Sequence, residues 1–159
     1  MRRADGALER LFRVATVMGD AMAEDLAARG LTRARATLMT LLHRMGPSNQ
    51  RALADALRVT PRNVTGLVDG LEEVDLVVRS PHPEDRRATL VSLTDAGAKA
   101  TAALADDERV LARFLFAGED PHDLDALVSG LDRVLDRLSG PEFETLRHTA
   151  LARWPARPS

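Results

Sequence analysis

The chain has 159 residues, of which 45% are hydrophobic and 29% charged, with a formal net charge of -2. That length fits one domain of ordinary size, or one domain with helical extensions, and there is enough apolar material for a packed core. The absence of cysteine excludes disulfides, thiolate metal sites and thiol redox sensing, and no apolar run approaches the ~20 residues of a membrane span.

The opening MRRADGALERLF carries basic residues but no uninterrupted apolar stretch, so no signal peptide is expected and a cytoplasmic location is. Aromatics are only 3%, which leaves Leu, Val, Ala and Met to build the core. The acidic balance counts against a nucleic-acid partner, although charge placement weighs more than the total. Nearly all the basic side chains are Arg, with Lys99 the one lysine. Arg suits bidentate contacts to phosphates and bases; genomic base composition produces the same bias.

Residues 7–29 read as a first helix. Ala7, Leu8, Leu11, Phe12, Ala15, Met18, Met22 and Leu26 recur at steps of three and four, and Gly30 supplies a left-handed stop. Thr32 is the expected N-cap of a second helix carrying Ala34, Leu38, Leu41, Leu42 and Met45 and ending at Gly46-Pro47. Ser48 is expected to cap a third helix over 49–57, with Leu53, Ala54 and Leu57 inward. Arg58-Val59 makes a turn. Thr60-Pro61 then gives a strong start signal, a hydroxyl cap followed by proline at the first helical position. From there Val64, Leu67, Val68, Leu71 and Val74 face inward, while Arg62, Asn63, Thr65 and Gly66 face outward, with Asp69 and Gly70 further along.

Helix, tight turn, helix and hairpin is the order of a winged helix-turn-helix, and the outward face points to DNA. A recognition helix enters the major groove with its N-terminal end. Arg62 and Asn63 are the types that pair with guanine and adenine edges, and Thr60 and Thr65 reach phosphate or a thymine methyl. Gly66 and Gly70 each cost about 1 kcal/mol in a helix interior. One turn apart, they strip one face for the close approach of another surface, unless they are merely tolerated.

Leu76 to Arg79 reads as a strand and Thr89 to Leu93 as its partner. The intervening SPHPEDRRA is too long for a tight turn and is stiffened by Pro81 and Pro83. Asp85, two residues before Arg87, is placed to hold that Arg in one rotamer, as a narrow minor groove requires; the bland alternative for Asp85, Arg86 and Arg87 is a solvated ion pair. Thr94-Asp95 starts a long helix running to about Ala117, with Leu104, Val110, Leu111, Phe114 and Leu115. Asp120-Pro121 starts another, in which Leu124, Leu127, Val128, Leu131, Val134, Leu135 and Leu138 repeat unbroken until Ser139-Gly140-Pro141. A last short helix holds Phe143, Leu146 and Ala150.

The first helix and the last two carry more apolar face than a small winged domain covers. Helices of a second copy would cover it; an intrachain bundle is the alternative. Leu8, Leu11, Phe12, Leu127, Leu131, Leu135, Phe143 and Leu146 are the expected interface. The fold class is therefore mainly α with a small β-hairpin, a winged helix-turn-helix with N- and C-terminal dimerisation helices. The expected DNA-contacting set is Ser48, Thr60, Pro61, Arg62, Asn63, Thr65, Arg86 and Arg87, with Asp85 orienting the wing.

The run DRRATLVSLT, Asp85 to Thr94, resembles the D-x-R-x5-L-T wing signature of the MarR family of bacterial transcription regulators. LADALRVTPRNVTGLVDGLEEVDLVVR is similar to that family's helix-turn-helix, and the likeness is close over about residues 31–95. It implies one MarR-like domain over 1–159, with a DNA-binding lobe at 31–95 and dimerisation helices at 1–30 and 96–159. It implies a homodimer on a pseudo-palindromic double-stranded operator, with Arg87 in the minor groove and Asp85 orienting it. It also implies repression relieved by a small aromatic acid or phenol, bound where the dimer helices meet the lobe; Met18, Met22 and His43 are candidate contributors, though a Met or His on such a face is more often core or surface. Two positions depart from the family pattern: Asp75 stands where members often have Gly, and Gly66 where many have a basic residue. The missing cysteines exclude the peroxide-sensing branch.

Two other functions compete with this one. A winged-helix protein–protein adaptor without DNA binding fits the acidic net charge. An enzyme fits poorly: His43, His82, His122 and His148 show no metal spacing and no nucleophile motif occurs, so neither catalysis, metal nor cofactor is expected.

Overall fold

The structure is a computed structural model and describes residues 2–81 and 89–152. Helix α1 (Arg2–Ala28) starts five residues earlier than its apolar pattern predicts. Its first turn has no inward face, but Asp5 lies at the positive end of the helix dipole and Arg10 donates to the Gly6 carbonyl at 2.8 Å. Helix α2 (Arg33–Met45) begins as expected, with Thr32 accepting from the Arg35 N–H at 3.3 Å.

The expected cap at Ser48 is overturned. Ser48 and Asn49 form a short strand, β1 (Ser48–Asn49), and it is the Asn49 side chain that accepts from the Ala52 N–H, at 2.8 Å, to start α3 (Gln50–Leu57). Helix α4 (Pro61–Glu72) starts on the Thr60 cap with Pro61 in its first turn. Strand β2 (Val77–Pro81) and strand β3 (Thr89–Leu93) pair antiparallel, from Val77 opposite Leu93 to Pro81 opposite Thr89. β1 pairs with the other edge of β3, Ser48 opposite Val91, so the hairpin is part of a three-stranded sheet in the order β1-β3-β2. Pro81 lies on an edge strand, where its missing N–H breaks no ladder.

Three helix ends share one device. After α1, α3 and α4 a left-handed residue makes the paired backbone bonds of a Schellman stop: Gly30 to Ala27 and Leu31 to Leu26, Arg58 to Asp55 and Val59 to Ala54, Asp75 to Glu72 and Leu76 to Leu71. Asp75 does adopt the left-handed conformation, at φ 55°, as a turn built for glycine requires. Because the Leu76 N–H is committed to that stop, the ladder begins one residue later than predicted. Val74, expected inward, precedes the stop and is exposed.

The core gathers α2, α3, α4 and the sheet. Leu38, Met39, Leu53, Val64, Val68, Leu71, Val77 and Val91 are all less than 2% exposed. Helix α5 (Asp95–Leu115) is tied to this lobe at its start. Thr94 accepts from the Gly97 N–H at 3.0 Å and donates to the Asp75 carbonyl at 2.6 Å. A Cβ on Gly97 would stand 1.9 Å from the Leu76 carbonyl oxygen, so only glycine allows this approach.

The chain divides into two compact units, residues 1–109 and 110–159. In the second, Asp120 caps helix α6 (Pro121–Ser139) by accepting from the His122 N–H at 2.8 Å, and helix α7 (Pro141–Ala152) follows and packs on it. No residue of α6 is buried.

Candidate nucleic-acid interface

The N-terminal end of α4 is built to be presented. Thr60 accepts from the Asn63 N–H at 3.3 Å, and Pro61 fixes the first turn. Val64, Val68 and Leu71 anchor one side of the helix in the core, which leaves Arg62 and Asn63 on the exposed side. Among the described residues neither side chain is held by another. Thr65 is less free than its sequence position implies: its Oγ1 lies 3.0 Å from Gln50 Oε1 and 3.1 Å from the Pro61 carbonyl, which ties α4 to α3.

The two helix glycines part company. Gly66 faces open space, whereas Gly70 is buried and a Cβ there would meet the Arg35 guanidinium at 1.8 Å. The surface that approaches Gly70 closely is thus the chain's own α2. Ser48 is only 8% exposed and donates to the Gly46 carbonyl at 3.0 Å, so it serves the sheet and not the exposed face. Asp85, Arg86 and Arg87 lie outside the described residues, as does His82.

One cluster escaped the sequence reading. Arg79 on β2 reaches across to the second half of α4. Its Nη2 donates to Asp69 Oδ1 at 2.5 Å, its Nη1 to Glu72 Oε2, and its backbone N–H to Glu72 Oε1 at 3.2 Å. Burial pulls the Arg79 pKa down, but hydrogen bonds and charge from Asp69 and Glu72 outweigh it, so the guanidinium is held above its ordinary range. The signal was present as two acids one turn apart followed by an Arg on the next strand, but only the helix-to-strand turn brings them together.

Of the residues proposed for a ligand, Met18 and Met22 on α1 are half-buried and His43 on α2 is exposed. A shallow surface groove is lined by Asn49, Gln50, Arg51 and Thr89, not by them. The expected interface residues Leu8, Leu11, Phe12, Leu127, Leu131, Leu135 and Leu146 are exposed, Leu8, Phe12, Leu135 and Leu146 by more than half, and Phe143 is half-buried. Among the described residues no helix is long and apolar enough to cross a membrane, and no three His, Asp or Glu side chains are grouped to hold a metal.

Comparison with known proteins places this geometry. Residues 31–89 match the MarR family. The HTH-type transcriptional repressor MdtR of Bacillus subtilis is 33% identical over 95 residues, 59% of this chain and 61% of that protein. An uncharacterized HTH-type transcriptional regulator of Mycobacterium leprae is 32% identical over 100 residues, 62% of this chain and 68% of that protein. Among solved structures, Streptococcus pneumoniae FabT in complex with DNA superposes with a TM-score of 0.73 at 16% identity, covering 87% of this chain and 96% of that one. The chain spans 43% to 61% of the length of three curated repressors it matches. With the matched segment running from just after α1 through the helix-turn-helix to the first residue of β3, the chain belongs to the MarR family.

Proposed function

We propose that this protein is a homodimeric, sequence-specific DNA-binding transcription regulator that acts as a repressor in the cytoplasm. The observation that carries the reading is α4: a helix capped at Thr60, anchored by Val64, Val68 and Leu71, with Arg62 and Asn63 exposed at its leading end. That is the end a recognition helix puts into the major groove, and these are the side chains that read guanine and adenine there. Thr60 and Pro61 set the helix start against the backbone, and Arg87, oriented by Asp85, supplies the minor-groove contact of the wing. Ser48, being buried, stands apart from this surface, and Thr65 contributes through its tie to Gln50.

Dimerisation is supported by the apolar surface of α1, α6 and α7. Leu8, Leu11, Phe12, Leu127, Leu131, Leu135, Phe143 and Leu146 would form the seam that sets two α4 helices one helical turn apart on a pseudo-palindromic duplex. The reading extends to release of DNA by a small aromatic acid or phenol, with Met18, Met22 and His43 as contributors to that site.

The test is capture of genomic DNA on the tagged protein, followed by binding to the intergenic DNA beside its own gene. Enrichment of a pseudo-palindromic sequence, with affinity falling steeply as salt rises, supports the regulator. Enrichment of a protein and no DNA would establish the adaptor reading that the acidic net charge favours. Titration of phenolic acids into the DNA complex then tests release.

A further inference from the structure

Asp69 and Glu72 pose a problem for a recognition helix. Asp69 lies seven residues after Arg62, two turns along the same exposed stripe, and its side chain is 53% exposed; Glu72 follows at 39%. Both carboxylates stand on the part of α4 that a duplex would approach after Arg62 and Asn63 are seated, where phosphates would repel them. Arg79 is the countercharge. It is less exposed than either acid, at 24%, and it reaches one with each terminal nitrogen while its backbone N–H holds Glu72 as well. It comes from β2, so one side chain links the helix proposed to read DNA to the strand that precedes the wing.

We propose that Arg79 is a positioning residue for DNA binding, which neutralises Asp69 and Glu72 on the exposed face of α4 and so lets a polyanionic duplex lie against that helix. The inference rests on the regulator reading above. A plain structural staple would hold β2 on α4 with the same contacts, and the two roles differ in how they respond to salt. Repulsion between exposed charges fades as the screening length falls from roughly 30 Å at 0.01 M to roughly 10 Å at 0.1 M. A geometric defect in the wing does not fade in that way.

The experiment measures binding of a fluorescent duplex carrying the intergenic DNA beside the protein's own gene, from 0.02 to 0.5 M salt on the scale of those lengths. Wild type is compared with Arg79→Gln, with Asp69→Asn/Glu72→Gln, and with the triple variant, all as full-length chains. Arg79→Gln should bind about tenfold more weakly at the lowest salt, with the deficit shrinking toward unity at the highest. Asp69→Asn/Glu72→Gln, which exposes the guanidinium, should bind more tightly than wild type at low salt, and the triple variant should return to within about threefold of wild type. The double variant has the opposite sign, so the inference stays open to refutation even if Arg79→Gln does not fold. A deficit of Arg79→Gln that is constant across salt, or a double variant that binds no tighter than wild type, overturns charge masking while leaving the regulator reading intact. A wild type that binds neither this duplex nor any genomic DNA overturns both.

Discussion

The lobe around α4 and the helices beyond Arg109 use similar residues to opposite ends. In the lobe, Leu38, Leu53, Val64, Val68, Leu71 and Val91 are enclosed by their own chain. In the second unit Val128, Leu131, Leu135 and Leu138 repeat as regularly, yet α6 buries none of its residues. Periodicity therefore marks which side of a helix will be covered, not what covers it. The first region is a finished fold, and the second holds its apolar face toward a partner that we propose is another copy.

The sharpest way to break that contrast is to truncate one leucine from each region. Leu71→Ala should cost about 2–5 kcal/mol of unfolding free energy, read by denaturant titration, because it opens a cavity in a filled core. Leu135→Ala should leave the unfolding of the lobe nearly unchanged; an equal loss would mean that α6 is part of the same core. Gly97→Ala comes next. Its Cβ would meet the Leu76 carbonyl, a backbone atom that cannot swing aside, so a loss of about 1–3 kcal/mol in thermal unfolding is expected.

The second unit is probed by charge. Leu131→Glu with Leu135→Glu should raise the dimer dissociation constant at least tenfold, about 1.4 kcal/mol, by sedimentation, with helix content of the lobe retained. A wild-type chain that sediments as a monomer would remove the partner from the account. The smallest effect is at the turn after α4. Asp75→Gly relieves a left-handed aspartate but frees the unfolded chain, so a gain of no more than ~1 kcal/mol is expected, visible as a slight rise in melting temperature.

What could be read from the sequence follows the same division. Signals carried within a few residues were legible: the Thr32, Thr60 and Asp120 caps, the Gly30 stop, and the β3 span from Thr89 to Leu93. Signals that need two distant segments were not. Ser48 looks like a cap, but Val91, 43 positions on, pairs with it and makes it a strand. Gly70 reads as a cost to its helix until Arg35 is found against it, and Gly97 carries no local signal at all until Leu76 is found against it. Arg79 reads as an unremarkable strand residue, and only the turn at Asp75 brings it over Asp69 and Glu72. Arg62 and Asn63 were legible because exposure at a capped helix start is local.

The central claim is that two copies of α4 read DNA with Arg62 and Asn63. Footprinting on the intergenic duplex tests it most directly, comparing wild type with Arg62→Ala/Asn63→Ala. Two protected half-sites centred about 34 Å apart along the duplex, both lost in a variant that still folds and dimerises, is the result expected. Protection that survives the double substitution, or a single unpaired footprint, would contradict it.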